Sequence, residues 1–193
     1  NFLNRLIGDD REHLLNVCEK TVFFCRFNHA FSSYRKISVV CPVYAELEQD
    51  CKQWLERVMR ISKELNLDID VYSTRETFEK FKAYRTHRKF SADLTHYPIE
   101  SPEDALPQII GFNEHQLLIS VFARSGSVSA FPGMEYLPQR IEKENPKLDR
   151  IFVYPSQSLS DLSYAAYDDM TGSPLAAGVE TIQRLSKEVG GMF

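Results

Sequence analysis

The chain has 193 residues, 43% of them hydrophobic and 12% aromatic, which is enough for one buried core with an appendage. A formal net charge of −4 gives no support for a duplex-DNA binder. No run reaches the ~18 apolar residues of a membrane span, and no signal-peptide pattern opens the chain. It starts at Asn1 without Met, which reads as an excised piece of a longer protein.

Residues 12–20 predict a short helix with Leu14, Leu15 and Cys18 on one side. Residues 21–27 (TVFFCRF) predict a strand, and 28–35 a polar linker that holds aromatic residues. Residues 36–41 (KISVVC) form a second strand closed by Pro42. The strongest helical pattern spans 45–65, where Leu47, Cys51, Trp54, Leu55, Val58, Ile61 and Leu65 follow a period of about 3.6 residues. Glu46, Glu48 and Asp50 near its start suit the helix dipole. Residues 67–72 (LDIDVY) alternate as a strand. Residues 74–85 follow as a helix, with Thr74 as N-cap and Phe78 and Phe81 inward. Residues 94–98 are a further strand. Ser101-Pro102-Glu103-Asp104 opens a short helix that ends near Gly111.

The next stretch carries the most information. Residues 117–123 (LLISVFA) are an apolar run interrupted by Ser120 alone, long enough for one buried strand. A small polar turn, Arg124-Ser125-Gly126-Ser127-Val128-Ser129, follows it. A helix over 135–145 is stopped by Pro146, and a strand over 151–154 ends at Pro155. That is one strand–loop–helix–strand unit. After a poorer stretch over 156–172, Ser173-Pro174 starts a last helix. Leu175, Val179, Ile182, Leu185 and Val189 lie in phase along it, and Gly190-Gly191 ends it.

From residue 36 to 155 the order is β-α-β-α-β-α-β-α-β. Such alternation predicts an α/β fold: a five-stranded parallel sheet with helices on both faces, plus an extra N-terminal strand and a C-terminal helix. The run 117–123, with no apolar/polar alternation, suits a strand covered on both faces. In sheets of this kind the working site lies at the carboxyl ends of the strands, where the Ser-Gly-Ser turn sits. No Gly-x-Gly-x-x-Gly and no Walker loop follows any strand.

Two readings of the turn stand side by side. The N–H groups around Gly126, the hydroxyls of Ser125, Ser127 and Ser129, and Arg124 could cradle an anion. Equally, the turn could need Gly for positive φ and Ser for local capping. The G-x-S-x-G spacing of a nucleophile elbow fails, so no catalytic residue is assigned. His13, His29, His87, His96 and His115 form no metal-ligand spacing, and no metal site is assigned. Cys18, Cys25, Cys41 and Cys51 read as reduced, buried thiols. The basic stretch 84–89 reads as a solvated helix end. The strand at 150–154, at one end of the sheet order, invites pairing with a second copy unless residues 21–27 or the tail cover its edge. The C-terminal stripe is expected to dock, on the chain's own sheet edge or on a neighbouring protomer or membrane module, because a free helix of that length is marginal in water.

RKISVVCP, the long helix with Trp54, and LLISVFARSGSVSAFPGMEYLPQRI together resemble the cytoplasmic C-terminal region of bacterial sodium or potassium/proton antiporters. Universal-stress-protein-like units follow a membrane transport module there. The resemblance covers about two thirds of the chain, and A-R-S-G-S-V-S followed by L-P-Q-R is its most specific part. It implies the end of a preceding unit and linker over 1–35, a universal stress protein-like (Rossmann-like) domain over 36–155, and a peripheral tail over 156–193. It also implies a non-catalytic regulatory domain at the cytoplasmic face of the inner membrane. Its partners would be the transport module of the same polypeptide and a second copy, not nucleic acid. The family's nucleotide-binding members carry Gly-x2-Gly-x9-Gly-Ser/Thr after the fourth strand; here Gly126-Ser127 and Ser129 remain and the earlier glycines are absent. If a ligand binds, the resemblance implies an adenine nucleotide such as ATP or AMP, or another small anion. It would lie among Pro42, Val43, Val71, Tyr72, Arg124, Ser125, Gly126, Ser127, Val128 and Ser129, with Val71 and Tyr72 flanking the base. The alternatives are a stand-alone nucleotide-binding stress protein, or a small α/β hydrolase using Ser127 or Ser129.

Overall fold

The computed structural model of the chain describes residues 11–158; the expected C-terminal helix lies outside the described residues. Short apolar runs rich in β-branched residues become strands, and the runs with a 3.6-residue period become helices. The strands are β1 (Val22–Arg26), β2 (Lys36–Val40), β3 (Ile69–Ser73), β4 (Leu94–Pro98), β5 (Gln116–Val121) and β6 (Arg150–Tyr154). The helices are α1 (residues 11–17), α2 (Cys51–Leu65), α3 (Arg75–Arg88), α4 (Leu106–Ile110) and α5 (Leu137–Glu144). Among the described residues, no helix is long and apolar enough to cross a membrane.

The strands form one six-stranded sheet in the order β1-β6-β5-β2-β3-β4. From β2 to β6 all neighbours pair in parallel, as in Val40↔Ser120 and Val39↔Val71. β1 pairs antiparallel with β6, Val22 facing Tyr154 and Arg26 facing Arg150. The edge of β6 expected to be open is therefore taken by β1. The strand order reverses between β2 and β5, so the crevice outside their carboxyl ends is the topological switch point.

Each face of the sheet has its own core. On one side, Trp54, Leu55, Val58 and Met59 of α2 and Phe81 of α3 pack on Ile37, Val39, Ile69, Val71, Leu117 and Ile119. On the other, Leu106 and Ile109 of α4 and Leu137 and Ile141 of α5 pack on Leu118, Phe122, Phe152 and Tyr154. Along β5, Leu117 and Ile119 face one core and Leu118 the other, so both sides of the strand are apolar apart from the buried Ser120.

The helix expected over 45–65 is shorter. Tyr44 turns left-handed (φ 64), Ala45–Leu47 makes one 3-10 turn, Glu48 is extended (φ −61, ψ 141), and α2 begins at Cys51. The reason is polar: Glu48 and Asp50 turn inward as acceptors, as described below, instead of lying along a first helical turn. Similarly, Met134–Tyr136 is a 3-10 turn and α5 starts at Leu137 with Pro138 in its first turn, where a missing N–H costs nothing. The 101–111 segment divides into a 3-10 turn, Pro102–Ala105, and the short α4.

One buried carboxylate ties the 28–34 connection to the start of β6. The side chain of Asp149 is fully buried and accepts from the backbone N–H groups of Asn28 and His29, from His29 Nδ1 at 3.0 Å and from the Tyr34 hydroxyl at 2.8 Å. Burial alone would raise its pKa. The Asn28 N–H, the Tyr34 hydroxyl and His29 outweigh that and hold it below its ordinary 3.8. A depressed carboxylate stabilises the fold above its unfolded pKa and ceases to do so as pH falls through the folded value. Asp149→Asn should lower unfolding stability by about 2–3 kcal/mol at pH 7, since a buried charge-assisted set is broken. Urea titrations at pH 7 and pH 3 check this: the variant's deficit should shrink at pH 3, and a deficit equal at both pH values counts against the assignment.

Candidate functional site

At the switch point, the loop after β2 meets the loop after β5. The first loop supplies Pro42, Val43 and three acidic residues at alternate positions, Glu46, Glu48 and Asp50. The second supplies residues 124–129. Because β2 and β5 are adjacent parallel strands, both loops leave the same end of the sheet.

The Ser-Gly-Ser segment is a pair of linked turns. Ser127 N–H donates to Arg124 O at 3.1 Å, Ser127 Oγ donates to the same carbonyl at 2.9 Å, and Ala130 N–H donates to Ser127 O at 3.1 Å. Gly126 stands at φ 78, a conformation that favours glycine. Ser129 then turns inward, 3% exposed. Its N–H donates to Glu48 Oε1 at 3.0 Å, and its hydroxyl donates to the same oxygen. A carboxylate of the chain itself thus lies where the loop offers its inward donors.

The neighbouring acids are engaged too. Thr77 Oγ1 donates to Glu46 Oε2 at 2.7 Å. Asp50, 3% exposed, accepts from the Thr21 hydroxyl and from Ser156 N–H at 3.0 Å through one oxygen. Its other oxygen is buried without a protein partner. Asp50 therefore binds the chain before β1 and after β6 to the start of α2. Spacing could have revealed this: acids at i, i+2 and i+4 cannot share one helical face, but they suit a non-helical loop with inward and outward positions.

Arg124 does not face the turn. It is 5% exposed, and Nη1 donates to Leu15 O at 3.1 Å and to Cys18 O, while Nη2 donates to Lys20 O. These are the carbonyls that α1 and its exit leave without intrahelical partners, so the guanidinium acts as a C-terminal cap. Burial lowers its pKa, though arginine keeps its proton in proteins. Gln157 Nε2 donates to Ser125 O at 2.6 Å and its N–H to Glu19 O at 3.1 Å, which closes the same corner.

The other assigned residues divide between surface and interior. Val71 is fully buried in the core beneath α2, so its side chain does not reach the crevice. Tyr72 belongs to the opposite core and stacks on Tyr97, ring centroids 4.7 Å apart. Pro42 is buried and Val43 half-buried. Ser125, Gly126 and Val128 are exposed. Tyr44 and Leu47 in the connection after β2, and Val128 and Tyr136 in the connection after β5, are 54%, 59%, 51% and 66% exposed, an apolar rim at this end of the sheet.

The thiols are free. Burial pushes the Cys41 pKa well up and that of Cys51 up to about 11, so both stay protonated and inert at neutral pH. Cys25, expected to be buried, is exposed, because it lies on the outer strand β1.

No family model matches the chain, and no curated protein matches it. Arg124→Met should cost about 2–4 kcal/mol, since three carbonyls lose their donor, and should speed amide exchange in residues 11–21. Arg124→Lys should recover only part, because an ammonium cannot span the fork. Denaturation with exchange mass spectrometry reads both; stability unchanged in the methionine variant would show that the cap is incidental.

Proposed function

We propose that the chain is a non-catalytic regulatory module of a bacterial cation/proton antiporter, standing at the cytoplasmic face of the inner membrane and acting by contact rather than by chemistry. The observation that carries the contact mechanism is Glu48 on Ser129: the inward donors of the switch-point loop are already spent on an internal carboxylate. An external phosphate there would meet Glu48 and be repelled. A nucleophilic role for Ser129 is disfavoured for the same reason, since its hydroxyl is buried and bound. Ser127, the other candidate, spends its hydroxyl on Arg124 O.

The antiporter assignment is supported by the resemblance of RKISVVCP and of the stretch 117–141. The rim of Tyr44, Leu47, Val128 and Tyr136 is the surface we assign to contact with the transport module, because four large apolar side chains stand exposed on the connections at one end of the sheet. A homodimer would use a surface other than the outer edge of β6, which β1 occupies.

Two measurements test the reading. The coding sequence upstream of Asn1 should encode a series of hydrophobic spans, and a short polar reading frame there would overturn the antiporter assignment. Calorimetry with ATP and AMP at millimolar ligand should give no binding heat. Saturable micromolar binding would overturn the closed crevice and restore an adenine nucleotide as the regulator. In the full transporter, Leu47→Asp with Val128→Asp should shift the pH dependence of exchange while the melting temperature stays within about 2 °C, as for exposed positions.

A further inference from the structure

The two faces of the sheet are not equally covered. Right-handed crossovers from β2 to β3 and β3 to β4 put α2 and α3 on one face, and the crossover from β5 to β6, running the other way, puts α5 on the opposite face. Among the described residues, no helix lies on the α2 face above β6 and β1. An open groove of about 890 Å³ runs there between α2 and β1. Phe23, Ile61 and Ile151 give it an apolar floor, and Lys20, Arg57 and Arg60, the last paired with Glu56 at 3.0 Å, line it against Glu19 as its one acidic residue among those described.

We propose that this groove is the docking site of the chain's own C-terminal segment, residues 173–189. Three observations point to that occupant. Ser156, Gln157 and Ser158 themselves line the groove, so the chain passes into residue 159 from its wall. The stripe Leu175, Val179, Ile182, Leu185 and Val189 matches the apolar floor; at helical rise 173–189 would be about 25 Å long, close to the roughly 22 Å of α2. The connection 159–172, which leaves the groove wall at Ser158, carries Asp161, Asp168 and Asp169 and no base opposite the basic wall, while 173–189 is neutral, with Glu180 and Glu188 against Arg184 and Lys187. The helix that follows β6 thus becomes the third on the α2 face. The inference is independent of the antiporter assignment.

Cys25, exposed among the described residues and lining the groove, is a built-in reporter. Alkylation of the intact chain with iodoacetamide, read peptide by peptide, follows it apart from the other thiols. Cys25 should react about tenfold more slowly than in Val179→Asp with Ile182→Asp, since opening a docked helix governs access. Emission from the single, buried Trp54 should be the same in both, showing an intact core. Should that variant lose the Trp54 signal, Arg57→Glu with Arg60→Glu, both on the exposed side of α2, replaces it and should also speed labelling. Fast labelling of Cys25 in the intact chain overturns the proposal. So does protection that survives the substitutions; if that protection fades on dilution, the occupant is a second copy of the chain.

Discussion

The bond from Ser129 to Glu48 is the constraint on which the carboxyl end of the sheet is built. It joins the loops after the two central strands, β2 and β5, at the one place where the winding direction reverses. A carboxylate at 7% exposure is costly to bury unless it is hydrogen-bonded, and here a backbone N–H and a hydroxyl converge on one oxygen. Net, charge-assisted bonds of this kind contribute about 1.5–3 kcal/mol each. An exposed turn of helix contributes far less, about 0.5 kcal/mol or below per residue of propensity. The helix therefore yields: Glu48 stays extended, and α2 waits until Cys51.

Most of the sheet was legible because its signals are local. β4 falls on residues 94–98 as read, and the strands at 36, 69, 116 and 150 sit within two residues of the apolar runs that announce them. The order of the parallel strands follows from alternation and handedness. What was not legible depends on partners distant in sequence. Arg124 looked like an anion ligand because it adjoins Ser125 and Gly126. Its actual acceptors are carbonyls near residue 18, and nothing in the spacing of 124–129 announces them. Val71 looked available because it ends an alternating strand, but alternation says which residues share a face, not which face is covered. The Ser-Gly-Ser turn was legible in its second sense: Gly126 supplies positive φ, and Ser127 bonds its own turn.

β1 changes what the parallel unit can do. Paired antiparallel with β6, it removes the edge that the sequence suggested for self-association and moves the boundary of the sheet outward by one strand. The added strand is covered unevenly. Val22 and Phe24 pack into the α4–α5 side, where the Arg11 guanidinium stands over the Phe24 and Phe152 rings and pairs with Glu142 at 2.8 Å. Phe23 and Cys25 face the α2 side, where the groove begins. Three polar anchors hold β1 in place against this imbalance: Arg124 on the exit of α1, Asp50 on Thr21, and Asp149 on Asn28 and His29. They grip the strand before and after its five residues.

These anchors also link the crevice to the strand. Asp50 is two residues from Glu48 and takes both Thr21 and Ser156, while Gln157 reaches back to Ser125 in the turn. A ligand that drew Ser129 away from Glu48 would have to supply the roughly 3–6 kcal/mol of the two bonds it breaks, which lowers its affinity by about 150-fold or more before any favourable contact counts. It would also disturb the junction that fixes β1. A partner resting on the apolar rim meets no such penalty, because Tyr44, Leu47, Val128 and Tyr136 already face outward. The loop after β2 that carries Tyr44 and Leu47 also carries Asp50, whose partners Thr21 and Ser156 line the groove beside α2. A contact at that loop would leave these bonds in place, whereas ligand entry into the crevice would first have to break them.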